Sequence, residues 1–473
     1  MILAAAAAAR AIGAGSDLWI DEVYSLVEHI RLPVSRILTE FPDDNEHVLY
    51  TLLAHAARFL FGESAAMVRL PALLFGLGSL WAVWRLGRLL AGPREALIAM
   101  SVLAFSYHHV WFSQNARGYT GLLLASVVAT ELMLRGLWRA RPATWLAYAV
   151  VVALGMWVHL TMIFVAAAHL VVLLALLFRD RSIRQGSWYG LAALAFAGLL
   201  TFQLYALVVP QMAGYFLRSG AGAHDLGREV RTVAWLVGET MRGLSAGATL
   251  GGAGVLAGGG IFAAGLVSLW RRDRWSAILL LLPAAIGGVS MILLGRNLWP
   301  RFFFNSLGFA ALLGVFGAMV IAEKLAHRLR IPPRAAAAVC AVALVAASAV
   351  SMIRVYRYPK QDFTGARDFV TRLARPGDRI VGLKHAGRAY RSYYAPNWKT
   401  AWNTDDLRAS AGSGATYALY TFPRTLSASD PALRRVLQTD FELLRVFPGT
   451  LGDGAIYLLR RKSAPPVAES RIE

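Results

Sequence analysis

Leu18-Trp19-Ile20-Asp21-Glu22-Val23-Tyr24-Ser25-Leu26 sets an adjacent acidic pair among apolar residues, directly after the alanine-rich segment 2–14. Ionisable side chains at the edge of a hydrocarbon layer are costly, and a carboxylate kept there suits proton abstraction or cation capture. The plainer alternative is a solvated loop start after an apolar helix. Which of the two holds depends on what the remaining chain builds around the pair.

Working outward, the chain is 57% hydrophobic and only 16% charged, with a positive mean hydropathy, which excludes disorder and points to a multi-pass membrane protein. The formal net charge of +20 sits in short basic clusters between apolar segments. Membrane lipids, and not nucleic acid, are therefore the partner of that charge. The single cysteine, Cys340, lies in an apolar run and reads as a small buried hydrophobe, so neither an internal disulfide nor a cysteine zinc site is available.

Segment 2–14 is short for a span of roughly 20 residues and carries Arg10. A secretory signal peptide is the alternative, but its charge lies late and more membrane follows. It reads as a first transmembrane helix whose true beginning lies upstream of Met1. Further spans are expected at 65–84, 96–112, 120–134, 144–158, 160–178, 188–209, 250–270, 275–294, 302–322 and 335–353, about eleven helices in all. Basic clusters such as Arg85, Arg88 and Arg94, Arg135, Arg139 and Arg141, and Arg271, Arg272 and Arg274 then share one side. By the positive-inside pattern this side, with the N-terminus, is cytoplasmic.

The opposite side collects 15–64, 113–119, the turn at His159, 210–249, 295–301 and everything after Arg354, a mixture of acids, amides, histidines, Trp and isolated arginines. Chemistry belongs there. The glycine-rich run 251–260 lacks the Gly-Lys-Ser/Thr ending of a phosphate loop and is expected to serve close helix packing. Segment 47–62 reads as an amphipathic helix lying on the membrane, preceded by Pro42-Asp43-Asp44-Asn45-Glu46-His47, whose polar groups either cap it or face the same cleft as Asp21. In Trp111-Phe112-Ser113-Gln114-Asn115-Ala116-Arg117-Gly118-Tyr119, amide, guanidinium and phenol groups can bind a phosphate or sugar, or anchor the chain at the interface. His108 and His109 are adjacent, point apart in a helix, and make a poor zinc pair.

The order of these motifs resembles glycosyltransferase family 39. The resemblance runs from Asp21-Glu22 through Asn45-Glu46-His47, Arg69-Leu70-Pro71 and Ser113 to Tyr119, and ends at Pro300-Arg301-Phe302. That family comprises the dolichyl-phosphate-mannose protein mannosyltransferase-like enzymes of the GT-C fold, related to the bacterial lipid A aminoarabinose transferases. The resemblance implies an extracytoplasmic active site and a polyprenyl-phosphate-linked sugar donor. Asp21 becomes the base and Glu22 its neighbour, both also candidate ligands of a divalent cation. Asn45, His47, Gln114, Arg117, Tyr119 and Arg301 become substrate contacts, with the two arginines on the lipid phosphate. Many relatives carry a Pro-Pro pair at His47-Val48 and a cation at Glu46, so here His47 takes the cationic place one residue later.

After 353 the composition changes. Segments 379–383, 416–421, 441–447 and 455–459 alternate as strands and 363–374 as a helix, which predicts a small extracytoplasmic α/β domain over 354–462, ahead of a disordered tail 463–473. Within it, the segment from Lys384 to Tyr394 either helps bind an acceptor or simply covers the domain surface. The whole reads as an all-α polytopic membrane protein, residues 1–353, with this domain appended. Its expected activity is an inverting transfer of sugar from the lipid donor to a hydroxyl of a protein, lipid or envelope glycan, at a bacterial inner membrane. The alternative is a lipid or glycolipid flippase, which should show repeated halves and broken helices at mid-membrane.

Overall fold

The computed structural model describes residues 1–43, 46–179, 181–218, 232–247, 252–410, 412 and 414–462. Asn45 and the tail 463–473 lie outside the described residues. Two compact units emerge, one of Met1–Gly15 with the helices from Glu28 to Arg357, the other of Ser16–Val27 with the chain from Tyr358 onward.

In the helical unit, eight described helices are long and apolar enough to cross a membrane, nine if the bent pair Pro93–Ala104 and Tyr107–Ser113 counts as one span. About eleven were expected. The difference lies in Ile2–Ala11, with 10 residues, and Pro142–Val158, with 17, which form where their apolar runs place them but are short for a span. Pro93, Pro142 and Pro333 each begin a helix, where their missing N–H costs nothing. Tyr119–Arg139 is central, 72% of its apolar window being buried against 6% for Pro333–Arg357. Its Leu122, Leu123 and Val127 pack with Leu80, Val83 and Phe309, while Leu146, Val339 and Val342 point outward, as in helices apolar all round.

Of the glycine run, Gly258, Gly259 and Gly260 face open space and not the close packing expected, while Gly251 lies outside the described residues. Gly265 does pack closely. A Cβ there would strike the Leu313 carbonyl, and one on Gly317 the Ile261 carbonyl, so these two glycines let Gly252–Arg272 and Leu307–Leu329 approach backbone to backbone.

Arg10, an oddity in the sequence, is fully buried. It donates to the Ala6 carbonyl at 2.9 Å and to Ser113 Oγ at 3.1 Å, and lies 2.7 Å from His109 Nδ1. It also takes the Ala104 carbonyl at 3.0 Å, one of the groups orphaned where the bent span breaks by 63°. A buried charge is tolerable only when its donors are met in this way.

In the second unit a five-stranded sheet is formed by β1 (Arg379–Leu383), β2 (Lys399–Ala401), β3 (Thr416–Tyr420), β4 (Phe441–Phe447) and β5 (Ile456–Arg461), in the order β2-β1-β3-β5-β4. β1 runs parallel to β2 and β3, and β5 antiparallel to β3 and β4, so the sheet is mixed. Four strands were legible as alternating runs. β2 was not, being three residues without an alternating pattern. Val381, Leu383, Ala418, Leu433 and Leu459 form the core.

Candidate functional site

The acidic stretch belongs to the second unit and is helical. Ile20–Tyr24 forms a short helix, so Asp21 and Glu22 diverge by one helical step and do not face opposite ways. Glu22 is fully buried. Its Oε2 accepts the Trp19 N–H at 3.1 Å, closing the helix N-terminus, and stands 3.6 Å from Lys360 Nζ. Asp17 accepts from the Thr364 N–H at 2.7 Å and from its hydroxyl at 3.0 Å, while burial pushes its carboxyl above the usual range. Asp21 is partly exposed.

Side chains of the Lys384 to Tyr394 segment, read as acceptor-binding or as domain surface, grip this stretch. Tyr394 donates to the Leu18 carbonyl at 2.7 Å, His385 Nδ1 lies 3.2 Å from the Tyr24 hydroxyl, and the Arg388 guanidinium sits 4.5 Å over the Tyr24 ring. Gln361 accepts from the Ile20 N–H at 3.0 Å and donates to Thr421 and the Gly454 carbonyl.

In the helical unit, the motif from Trp111 to Tyr119 divides in two. Its first half holds the first helix. Gln114 donates to the Arg10 and Ile12 carbonyls at 2.9 and 2.5 Å, and Ser113 takes Arg10; Arg69 reaches the Ala14 carbonyl at 2.8 Å and Tyr356 the Ala9 carbonyl at 2.7 Å. The Ala9 and Arg10 carbonyls are among those a helix C-terminus leaves without partners, and Ile12 and Ala14 follow it. The expected substrate contact Gln114 is thus placed at a helix end.

The second half faces a buried group of histidines. Arg117 turns back through its own N–H to the Asn115 carbonyl, so that Tyr119 opens the next helix. The Tyr119 ring lies 5.8 Å from His47 and 5.2 Å from His159, whose rings are 4.5 Å apart, and the Arg117 guanidinium is 5.8 Å from the Tyr119 ring. Gly118 makes this approach possible, for a Cβ there would meet the Val158 carbonyl at 2.6 Å and His47 Nδ1 at 3.2 Å. His47 precedes Val48–Phe61, and His159 closes Pro142–Val158.

Burial, then the Arg117 charge, holds His47 well below its ordinary pKa. His159 is pushed down to about 3 by burial, then by Arg117 and Arg301. Both rings are neutral at pH 7. Arg301, whose guanidinium lies 5.2 Å over the Trp299 ring, therefore contributes its charge to the same neighbourhood. Burial lowers His29 as well, against the pull of Asp43, 3.8 Å away. Glu46 is raised to about 8 by burial and by Asp43 and Glu40, and so holds its proton at neutrality.

His47, Arg117 and Tyr119 lie together, and the charge of Arg301 reaches His159 beside them. His159 was not singled out by the sequence beyond its place in a short turn, and His29 was not noticed. A histidine in a short turn between apolar helices was the available signal. Among the described residues no group of three or more His, Cys, Asp or Glu is placed to hold a metal ion, and a cation on Asp21 and Glu22 would compete with Lys360 for the second carboxylate.

Residues 48–205 match the model of the dolichyl-phosphate-mannose-protein mannosyltransferase family, a stretch that contains Arg117, Tyr119 and His159. The fold is similar to that of ArnT from Cupriavidus metallidurans, in the apo state and bound to undecaprenyl phosphate, with 14% identity, 98% of both chains covered and a TM-score of 0.57. It is also similar to the archaeal oligosaccharyltransferase AglB from Archaeoglobus fulgidus, in complex with an inhibitory peptide and a dolichol-phosphate. There the identity is 13%, the coverage 96% of this chain and 73% of that one, and the TM-score 0.54. No curated protein sequence matches the chain.

Proposed function

We infer that this chain is a membrane glycosyltransferase of the dolichyl-phosphate-mannose-protein mannosyltransferase family, one that takes its sugar from a polyprenyl-phosphate-linked donor. The observation that carries this is the convergence of Arg117, Tyr119 and His159, all in the family-matched stretch, with His47 just ahead of it, under the added charge of Arg301. Two guanidinium charges near neutral rings suit the phosphate of such a donor. ArnT and AglB, which share the fold, carry undecaprenyl phosphate and dolichol-phosphate in their structures.

The reaction is a single displacement. A hydroxyl oxygen of the acceptor bonds to the anomeric carbon as the bond from that carbon to the phosphate oxygen breaks; the hydroxyl proton passes to a carboxylate, and the lipid phosphate leaves as an anion whose charge Arg117 and Arg301 offset. The configuration inverts. Asp21 is assigned as the base, because Glu22 is committed to Trp19 and Lys360. The basic clusters put the N-terminus in the cytoplasm and the second unit outside. A flippase fits less well, since the broken span is closed by Arg10 on the Ala104 carbonyl.

Deleting the gene should cause a polyprenyl-phosphate sugar to accumulate and an envelope glycan, lipid or protein to lose a residue. Lipid and glycan profiles unchanged by the deletion overturn the reading. Restored with Asp21→Asn, the strain should recover transfer at about one hundredth of the parental rate; parental rates at every pH would remove Asp21 from the base role.

A further inference from the structure

We propose that His47 and His159 act as a pair that binds one hydroxyl group of the donor's sugar, with His47 Nε2 accepting its proton and His159 Nε2–H donating to its oxygen. This rests on the glycosyltransferase reading and deepens it.

The hydrogen bonds decide the tautomers. The Val158 carbonyl can only accept, so His47 Nδ1, 3.1 Å away, carries the proton and Nε2 is a bare lone pair. The Thr161 N–H can only donate, so His159 Nδ1, at 3.3 Å from that nitrogen and 2.9 Å from the Thr161 hydroxyl, is the bare one, and the proton of the neutral ring sits on Nε2. Two imidazoles 4.5 Å apart thus present opposite faces, one acceptor and one donor.

His47 Nε2 is buried, in a residue only 5% exposed, and has no hydrogen-bond partner among the described residues. Such an atom is costly unless a ligand meets it. The chemistry of the pair selects the ligand. A phosphate or carboxylate oxygen offers only lone pairs and is repelled by His47 Nε2; a metal ion requires a lone pair from each ring, and His159 presents a proton instead. A hydroxyl both donates and accepts, and satisfies both nitrogens at once. The phosphate is left to the arginines and the sugar to the histidines.

The test uses the purified full-length protein in lipid nanodiscs, titrated by tryptophan fluorescence with undecaprenyl phosphate alone, with a panel of undecaprenyl-phosphate hexoses, and with their monodeoxy analogues. One sugar-linked lipid should bind tighter than undecaprenyl phosphate. One of its monodeoxy analogues should bind about tenfold more weakly, the size of a hydroxyl lost from a buried polar site. In His159→Phe the parent sugar lipid should lose the same factor, the deoxy analogue nothing further, and undecaprenyl phosphate nothing, because the two changes remove one interaction. His159→Gln, which keeps a donor, should recover part of the loss. Equal weakening of undecaprenyl phosphate and sugar lipid in His159→Phe, or additive losses with every deoxy analogue, overturns the pair while leaving the donor class standing. A parental protein that binds no polyprenyl phosphate, with or without sugar, sinks the glycosyltransferase reading itself.

Discussion

Two acids at the start of the second unit and three side chains around the histidines of the helical unit differ in how far their hydrogen bonds are met. In the second unit the half-buried Asp17 is met by the amide and hydroxyl of Thr364, and the buried Glu22 by the Trp19 N–H and Lys360. In the helical unit, Glu46 Oε2, His47 Nε2 and His29 Nδ1 are buried with no hydrogen-bond partner among the described residues. Folding stability favours the first arrangement and gains nothing from the second. By the reading proposed above, Glu22 belongs with the acids that hold a structure together and His47 with the groups that meet substrate.

The largest test of this contrast is Glu22→Gln. The amide can still accept the Trp19 N–H but no longer faces Lys360 with a charge, and breaking a buried ion pair from one side should destabilise the protein by about 3 kcal/mol. Chemical denaturation followed through the second unit measures it. A variant of parental stability that has lost turnover would make Glu22 a functional acid and collapse the distinction.

Next in size is Arg117→Lys. The charge stays and the planar fork goes, so donor affinity should fall about tenfold while the protein remains in the membrane at parental levels. Arg301→Lys should act in the same direction. Donor titrations that do not change in either variant would return both arginines to interface anchoring over their Tyr119 and Trp299 rings.

The effect read through pH concerns Glu46. The folded protein keeps this proton to about pH 8, whereas the unfolded chain releases it at the ordinary glutamate value. Between those two pH values the unfolded state binds fewer protons than the folded one, so stability falls as pH rises through that window. Glu46→Gln should flatten this slope and raise the melting temperature above pH 8 while leaving it little changed at about pH 4. If the parental protein and the Glu46→Gln variant melt in parallel across the window, Glu46 is solvated and ionised.

The motif from Trp111 to Tyr119 shows how far sequence reading reached. Its residues were all legible as a unit at a helix boundary, and the family resemblance gave Arg117 and Tyr119 a role. That Ser113 and Gln114 are occupied by Arg10, Ile12 and the end of the first helix was not legible, because those partners lie roughly a hundred positions away and no local period encodes them. His159 was missed for the same reason. Its pairing with His47 depends on a backbone approach at Gly118 that neither residue announces.

The sequence by itself determined the elements. Apolar runs of span length became helices and alternating runs became strands, since a backbone in lipid must satisfy its hydrogen bonds within the segment and a half-buried strand must alternate. Arg10 inside the first helix, the acidic pair after it and the order of the motifs were likewise on the page. Only the tertiary structure decided which polar atoms are already partnered and which are not. That choice is made by contacts such as Arg10 to Ser113, Gln361 to Ile20 and His47 to Val158, each joining positions far apart in the chain. The free energy of a buried polar group depends on the partner it meets in the folded protein and not on the residues beside it in sequence.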